Sequence, residues 1–339
     1  MLLTFTAMKL LVILAVVVAS CAGGAIPPVP RDNSHYVEGV SRYIWMPDDQ
    51  GNDYLVDLHE PVDEASLDSR NGANNQYWLF TRRNPTNRQV LVHNNINSVR
   101  NSNYASNRPL KVIVHGWRNN GNSPMNSQIT SAFLAVQDCN VIVVDWNALA
   151  NNPNYIAAAN GVPNAGQFLG NFLVWLINNA GGNWNNVHLI GFSLGAHFVG
   201  NAGRTAGGRP ARVTGLDPAG PNWSGNSNAL NSNAGVYVEA IHTNRGALGI
   251  NSRVANADFY PNGGNSQPGC GGTSCSHGRS TELFASSVRT NHFNGRQCSN
   301  LQQAHNNQCT GNSFRMGNGI ISKRGNGIFG LRTGSNWPF

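Results

Sequence analysis

Apolar, β-branched runs alternate with helical patterns through the middle of this 339-residue chain. Strand-like runs stand at 110–114, 141–144, 187–190, 213–216 and 236–241, and helical patterns stand at 129–136, 166–177 and 194–206. A strand–helix–strand repeat builds a parallel sheet with helices on its faces. The sequence therefore predicts an α/β protein with a mostly parallel central sheet, and a further helix is expected at 281–288.

Composition excludes several other classes of protein. Hydrophobic residues make up 40% of the chain, which is enough to build a core and excludes wholesale disorder. No apolar run of 18 residues occurs beyond the N-terminus, which excludes a polytopic membrane protein. The arginines are scattered among Asn and Gly instead of clustering with aromatic residues, so we expect no nucleic-acid partner.

Charge and apolarity divide the chain into three parts. Lys9 precedes an apolar run at 10–19 and then small residues, which predicts a signal peptide at residues 1–22 and a secreted protein. Residues 23–70 carry ten acidic and three basic side chains, and they are interpreted as a loosely packed N-terminal extension or a propeptide. Residues 71–339 carry six acidic and nineteen basic side chains and form the folded body.

Two composition biases concern the working environment. Twenty of the 23 basic residues are arginine, and 50 residues are asparagine. Arginine stays charged above about pH 12, whereas lysine titrates near pH 10. The bias fits an alkaline digestive fluid, and it fits compositional drift of the lineage equally well.

Export makes disulfides expected. Removal of the signal peptide would take Cys21 and leave five cysteines, so one stays unpaired. The short separations predict the pairs Cys270–Cys275 and Cys298–Cys309. Cys139, beside an apolar strand, is expected to be a free buried thiol.

The segment Gly191-Phe192-Ser193-Leu194-Gly195 fits the pattern G-x-S-x-G and lies directly between a strand and a helix. A nucleophile elbow needs that context, because a strained strand-to-helix turn exposes the serine and small neighbours let the turn fit. The helix N-terminus would stabilise negative charge developing nearby. Ser193 is therefore the candidate nucleophile.

A serine nucleophile needs a general base, and the base needs a carboxylate that orients it. Asp217 directly follows a strand, at the sheet edge where the elbow lies, and is preferred over Glu239 (mid-strand), Asp258 (in a loop) and Glu282 (on a helix). Four histidines follow Asp217 and stay open as candidates for the general base: His242, His277, His292 and His305. His277 is favoured because it is expected on a loop beside a predicted disulfide.

Acyl transfer also requires donors for the oxyanion. The N–H of Leu194, directly after the nucleophile, is one candidate. The loop His115-Gly116-Trp117, which follows the first parallel strand, is expected to supply the second.

Seven stretches, in this order, resemble the pancreatic-type lipase family, in its insect digestive and phospholipase A1-like branch. They are Val112–Trp117, Val143–Trp146, Gly191–His197, Gly215–Pro221, Ile241–Thr243, Asp258–Gly264 and Cys275–His277. The resemblance implies an α/β-hydrolase fold and hydrolysis of carboxylic esters of lipids without a cofactor. It assigns Ser193, Asp217 and His277 as a catalytic triad, and the amides of Trp117 and Leu194 as the oxyanion hole.

Departures from the family pattern refine these expectations. Four residues between Cys270 and Cys275 are too few for an amphipathic lid, so we expect an open site and weak interfacial activation. Because short-lid relatives often act as phospholipases A1, the expected activity is either that of a triacylglycerol lipase or that of a phospholipase A1. The calcium-ligating aspartates of the vertebrate members are replaced here, near Asn231 and Asn233. Neutral amides bind calcium more weakly than carboxylates do, so we expect no required metal.

The chain stops at Phe339, so neither the C-terminal β-sandwich domain of larger members nor a colipase-like helper is expected. The expected partners are a lipid ester substrate and the lipid–water interface, and the expected state is a monomer. The alternative is a non-catalytic lipid-binding or yolk-type storage protein of the same fold.

Overall fold

The computed structural model describes residues 29–339, so the predicted signal peptide lies outside the described residues. The strands are β1 (Tyr43–Pro47), β2 (Asp53–Asp57), β3 (Gln76–Phe80), β4 (Gln89–Leu91), β5 (Leu110–Val114), β6 (Asn140–Asp145), β7 (Val187–Phe192), β8 (Arg212–Leu216), β9 (Val238–Ile241), β10 (Ala257–Pro261), β11 (Asn294–Cys298), β12 (Ser313–Arg315) and β13 (Gly327–Leu331). The α-helices are α1 (Glu64–Ser69), α2 (Ile96–Arg100), α3 (Pro124–Val136), α4 (Asn147–Ala150), α5 (Tyr155–Ala180), α6 (Leu194–Thr205), α7 (Thr273–Thr290) and α8 (Leu301–His305).

One large sheet organises the described part of the chain. Its order is β12-β11-β13-β10-β9-β8-β7-β5-β6-β3-β4. The seven strands from β13 to β6 run parallel, and antiparallel strands complete both edges. The predicted mostly parallel sheet is confirmed, and with its flanking helices it forms an α/β-hydrolase fold.

Helices cover both faces of the sheet, and strand β5 shows why. Val112 and Val114 belong to a core with residues of α5 and α6, whereas Ile113 belongs to a second core with residues of α3 and α7. Successive side chains of a strand point to opposite faces, so a continuous apolar run fills both cores at once. No helix in residues 29–339 is long and apolar enough to cross a bilayer.

Part of the acidic N-terminal segment packs against the body, contrary to the loose packing predicted for it. Strands β1 and β2 pair antiparallel and form a hairpin, hereafter the N-terminal hairpin. Ile44, Met46 and Val56 of the N-terminal hairpin are buried in the core shared with α5 and α6. The sequence signal was weak because each strand has only five residues and the turn between them, residues 48–52, is rich in Asp, Gly and Asn, which is typical of loops.

Several helices extend beyond the boundaries predicted from periodicity. Helix α5 begins at Tyr155 instead of residue 166, with Asn154 accepting from the Ala157 N–H at 3.0 Å as its N-cap and with Pro163 inside it. Helix α7 begins at Thr273 instead of residue 281. After residue 252 the structure also contains β10 to β13 and α8, none of which the Gly- and Asn-rich sequence predicted.

Candidate active site

Ser193 lies on the turn between β7 and α6. Its backbone has φ 56° and ψ −123°, a sparsely populated conformation that costs about 1–3 kcal/mol for a residue with a Cβ atom. The Ser193 N–H donates to the carbonyl of Leu216 at 3.0 Å, which ties the turn to the end of β8. The surrounding fold therefore holds the strained conformation that a nucleophile elbow requires.

Two glycines explain why the elbow can be so tight. A Cβ atom on Gly191 would lie 2.0 Å from the carbonyl oxygen of Gly195. A Cβ atom on Gly195 would lie 2.3 Å from the carbonyl oxygen of Val114 in the neighbouring strand. These contacts are with backbone atoms, which cannot move aside, so the G-x-S-x-G pattern is a packing requirement at this turn.

Asp217 follows β8 directly and is fully buried, with φ 38°. One carboxylate oxygen, Oδ1, accepts from the backbone N–H groups of Thr243 at 2.7 Å and Asn244 at 3.0 Å. The other oxygen, Oδ2, lies 2.6 Å from Nδ1 of His277. A Cβ atom on Gly249 would come within 2.4 Å of Oδ1, so only glycine leaves room for this carboxylate.

His277 lies in the first half of helix α7, and the predicted loop position was wrong. Ser, Thr and Gly dominate the first turns of this helix and conceal its periodicity in the sequence. The ring of His277 is almost buried and lies 4.6 Å from the ring of Phe192, at an interplanar angle of 42°. With Nδ1 occupied by Asp217, Nε2 is the nitrogen left for proton transfer.

The alternative residues weighed from the sequence have other partners. Nε2 of His242 lies 3.0 Å from Asp258, which stands in β10 and not in a loop. Glu239 is fully buried and pairs with Arg212 at 3.0 Å and with Lys323. These pairs lie outside the cavity that contains Ser193, so they are structural contacts.

The remaining candidates also have other partners, and of these only Glu282 lines the cavity that contains Ser193 in the described structure. His292 is exposed and contacts Thr290, and the ring of His305 packs edge-on against Tyr260. Glu282 is on α7 as predicted, where it pairs with Arg279 at 2.8 Å.

The two predicted oxyanion donors both belong to segments beside Ser193. Leu194 is the first residue of α6, so its N–H has no acceptor within the helix. A Cβ atom on Gly116 would lie 3.1 Å from Cβ of Ser193, which puts the loop that contains Trp117 against Ser193. In residues 29–339 no backbone hydrogen bond uses the N–H of Trp117. Both N–H groups are therefore available to a bound oxygen.

The loop that contains Trp117 is rigid. The indole Nε1 of Trp117 donates to the carbonyl of Asn152 at 2.9 Å, and its ring packs edge-on against Tyr155. His115 is fully buried, and its carbonyl accepts from Nε1 of Trp146 at 2.9 Å. These contacts keep the amide of Trp117 in place without reorganisation during a reaction.

Ser193 and His277 line one cavity of about 420 Å³. Most of its surface is apolar, with Trp117, Tyr155 and Phe192 among the lining residues. The end of β1 and the turn that follows it in the N-terminal hairpin, residues 46–51, form a continuous part of the wall. The sequence contained no signal for this wall, because the segment precedes every motif by more than sixty residues.

Two disulfides join the predicted partners. Cys270 is bonded to Cys275, and Cys298 to Cys309, while Cys139 is a buried free thiol. The first disulfide closes the loop that leads into α7, and Cys275 itself lines the cavity.

The asparagines near the family's calcium position are used in local hydrogen bonds. Oδ1 of Asn231 accepts from the N–H of Asn233 at 3.0 Å, and its Nδ2 donates to the carbonyl of Ala229. Within the described residues, no group of three or more His, Cys, Asp and Glu side chains is arranged to hold a metal ion.

Comparison with known proteins places this geometry in context. The sequence model of the Lipase family matches residues 49–339. Lipase member H of Oryctolagus cuniculus is 35% identical over 244 residues, which cover 68% of this chain and 53% of that protein. Pancreatic triacylglycerol lipase of Mus musculus is 33% identical over 264 residues, which cover 70% of this chain and 56% of that protein. The chain thus spans about half the length of these relatives.

A looser likeness exists to a solved structure. Acetyl xylan esterase from Aspergillus awamori is 12% identical, with a TM-score of 0.34 over 80% of this chain and 92% of that chain.

Proposed function

The chain belongs to the Lipase family, and on that premise we propose that it is a secreted serine hydrolase that cleaves carboxylic esters of lipids. The observation that carries the proposal is the arrangement around one cavity. A serine on a strained strand-to-helix turn and a histidine hydrogen-bonded at 2.6 Å to a buried aspartate both face the same space.

The geometry supports an acyl-enzyme mechanism. Oγ of Ser193 attacks the ester carbonyl while Nε2 of His277 takes its proton. Asp217 holds the imidazole by Nδ1 and stabilises the imidazolium that forms. The N–H groups of Trp117 and Leu194 donate hydrogen bonds to the former carbonyl oxygen and stabilise its negative charge. His277 then returns the proton to the leaving alcohol. In the second half of the reaction His277 takes a proton from water, the water attacks the acyl-enzyme, and the acid leaves as Ser193 regains its proton.

The form of the cavity supports a lipid ester as substrate. Its walls include Met46, Trp117, Met125, Tyr155 and Leu248, which suit an acyl chain. Because the relatives include a protein named pancreatic triacylglycerol lipase, an acylglycerol is one substrate class, and a phospholipid or galactolipid is the other.

The entrance to the cavity supports weak activation by interfaces. The loop between Cys270 and Cys275 holds only four residues, and a Cβ atom on Gly271 or Gly272 would meet nothing within 4 Å. Such a loop cannot form an amphipathic helix over the site, so we expect activity on dissolved esters as well as on droplets.

Secretion is part of the proposal. The protein contains two disulfides, and disulfides form in oxidising compartments. The N-terminal sequence also has the pattern of an export signal. The substrate at the lipid–water interface is the only partner we propose, with the enzyme acting as a monomer and without a cofactor or colipase-like helper.

The test is labelling with a fluorophosphonate probe, with hydrolysis of tributyrin and of phosphatidylcholine measured in parallel. The wild type and Ser127→Ala, which changes an exposed serine of α3, should label and hydrolyse esters. Ser193→Ala should do neither while keeping the wild-type circular dichroism. A folded wild type that neither labels nor hydrolyses any ester would refute the proposal. The ratio of the two substrate rates separates a lipase from a phospholipase.

A further inference from the structure

The N-terminal hairpin supplies more consecutive residues to the cavity wall than any other segment described. Residues 46–51 all line it, as does His277 of α7. The hairpin is fixed at this position. The ring of Tyr54 packs edge-on against Trp117, and the guanidinium of Arg118 stacks on Tyr54 at 3.7 Å. The turn is therefore a constant part of the space that a substrate enters.

The charge of the cavity is opposite to that of the protein. The chain carries a net charge of +7, yet the residues lining the cavity include three carboxylates and no lysine or arginine. One carboxylate, Glu282, is paired with Arg279 at 2.8 Å. The other two, Asp48 and Asp49, form no ion pair within the described residues. The uncompensated negative charge of the cavity thus comes from the hairpin turn.

Neutral donors hold both aspartates in place. Asp48 accepts from the N–H groups of Gln50 and Asn52 and from the hydroxyl of Tyr54. Partial burial raises the pKa of Asp48, but hydrogen bonds from Asn52, Gln50 and Tyr54 outweigh it and lower that pKa below its usual value. Oδ2 of Asp49 accepts from the hydroxyl of Ser123 at 2.5 Å. These donors orient the carboxylates but leave their charge in the cavity.

We propose that Asp48 and Asp49 determine specificity by charge, so that the cavity disfavours esters whose acyl chain carries a negative charge and accepts uncharged or cationic ones. The inference rests on the proposed function of the same site. Two fixed negative charges beside a largely apolar wall repel an anion more strongly than they would in water. The same repulsion favours departure of the carboxylate product.

Soluble esters separate this effect from attraction of the basic body to a charged lipid surface. Three p-nitrophenyl esters of matched length differ only at the chain end: hexanoate is neutral, adipate is anionic, and 6-(trimethylammonio)hexanoate is cationic. The quantity measured is kcat/KM for each ester, below the concentration at which it aggregates. The wild type should hydrolyse the anionic ester least efficiently.

Asp49→Asn removes one charge and keeps an acceptor for Ser123. It should raise the ratio of anionic to neutral kcat/KM by about threefold to tenfold. Asp53→Asn is the matched control, because Asp53 is exposed on the same hairpin and does not line the cavity. It should leave the ratio within about twofold of the wild type, because an exposed charge is well screened. Added salt should raise the wild-type ratio, and it should raise that of Asp49→Asn by less, because Asp48 keeps its charge in that variant.

Two outcomes would overturn the inference while leaving the proposed function intact. One is equal wild-type efficiency on the neutral and anionic esters. The other is an equal change of the ratio in Asp49→Asn and Asp53→Asn. The absence of hydrolysis of all three esters, including the neutral one, would instead overturn the proposed function and the inference with it. The salt series needs no variant, so it tests the inference even if a substitution impairs folding.

Discussion

Lys111 should make the protein more stable as the solution becomes alkaline. The residue is fully buried in β5, its Nζ has no hydrogen-bond partner in the described structure, and it lies 5.1 Å from the centre of the Phe133 ring. Burial, together with the charge of Arg212, lowers the pKa of Lys111 from 10.5 to about 8, against a smaller opposing effect of Cys139. The folded state therefore releases this proton earlier than the unfolded state does.

The sign and size of the effect follow from proton linkage. Between pH 8 and about 10.5 the unfolded chain binds more protons at Lys111 than the folded protein does, so the free energy of unfolding rises with pH. Below pH 8 the folded protein carries the full cost of a buried ammonium. A displacement from 10.5 to about 8 corresponds to about 3 kcal/mol.

Lys111→Met removes the charge and keeps most of the side-chain volume. We expect the variant to be more stable than the wild type by about 1–3 kcal/mol at pH 7, with the difference vanishing near pH 10. The assay is urea unfolding followed by tryptophan fluorescence at pH 7, 8, 9 and 10. Val112→Ala, at a fully buried position of the same strand, is the control and should lose the same stability at every pH. A stability difference for Lys111→Met that stays constant from pH 7 to 10, or a variant less stable at pH 7, would refute the reasoning.

Three further predictions concern the site. Gly249→Ala should lower kcat by about 10²-fold or more because its Cβ would come within 2.4 Å of the Asp217 carboxylate, whereas Gly271→Ala, which meets no atom within 4 Å, should keep the wild-type kcat. Asp217→Asn should lower kcat by about 10⁴-fold at unchanged circular dichroism, and a loss below about tenfold would argue against its role in orienting His277. Trypsin cleavage after the exposed Arg70 should lower ester hydrolysis once residues 29–70 are released, because the N-terminal hairpin forms part of the cavity wall; a rise in activity would instead identify a propeptide.

Local signals in the sequence were sufficient where structure depends on neighbouring residues. Strand β5 was predicted with its observed boundaries, and helix α6 within one residue of its observed end. The elbow was predictable because Gly191, Ser193 and Gly195 are constrained by contacts within one turn and with the adjacent strand. Helix α7 was underestimated because its first turns contain poor helix formers that a disulfide and tertiary packing hold in place.

The carboxylate and the histidine show the limit of local reasoning. Asp217 could be chosen because it follows a parallel strand, and parallel strands end at a common edge of the sheet. His277 could only be favoured among four histidines until the family resemblance was considered, because it stands 60 residues further on. That its Nδ1 meets Asp217 at 2.6 Å depends on how α7 packs across the sheet.

The sequence by itself determined the alternation of strands and helices from β5 to β9, the strained turn at Ser193 and the candidates for its partners, because strand period, helix period and turn chemistry act over a few residues. Only the tertiary structure decided what surrounds Ser193. The N-terminal hairpin is distant in sequence and weakly patterned, yet burial of Ile44, Met46 and Val56 brings its turn to the cavity. A basic chain thereby acquires acidic side chains in the wall of the candidate active site, because the position of a charge depends on packing and not on composition.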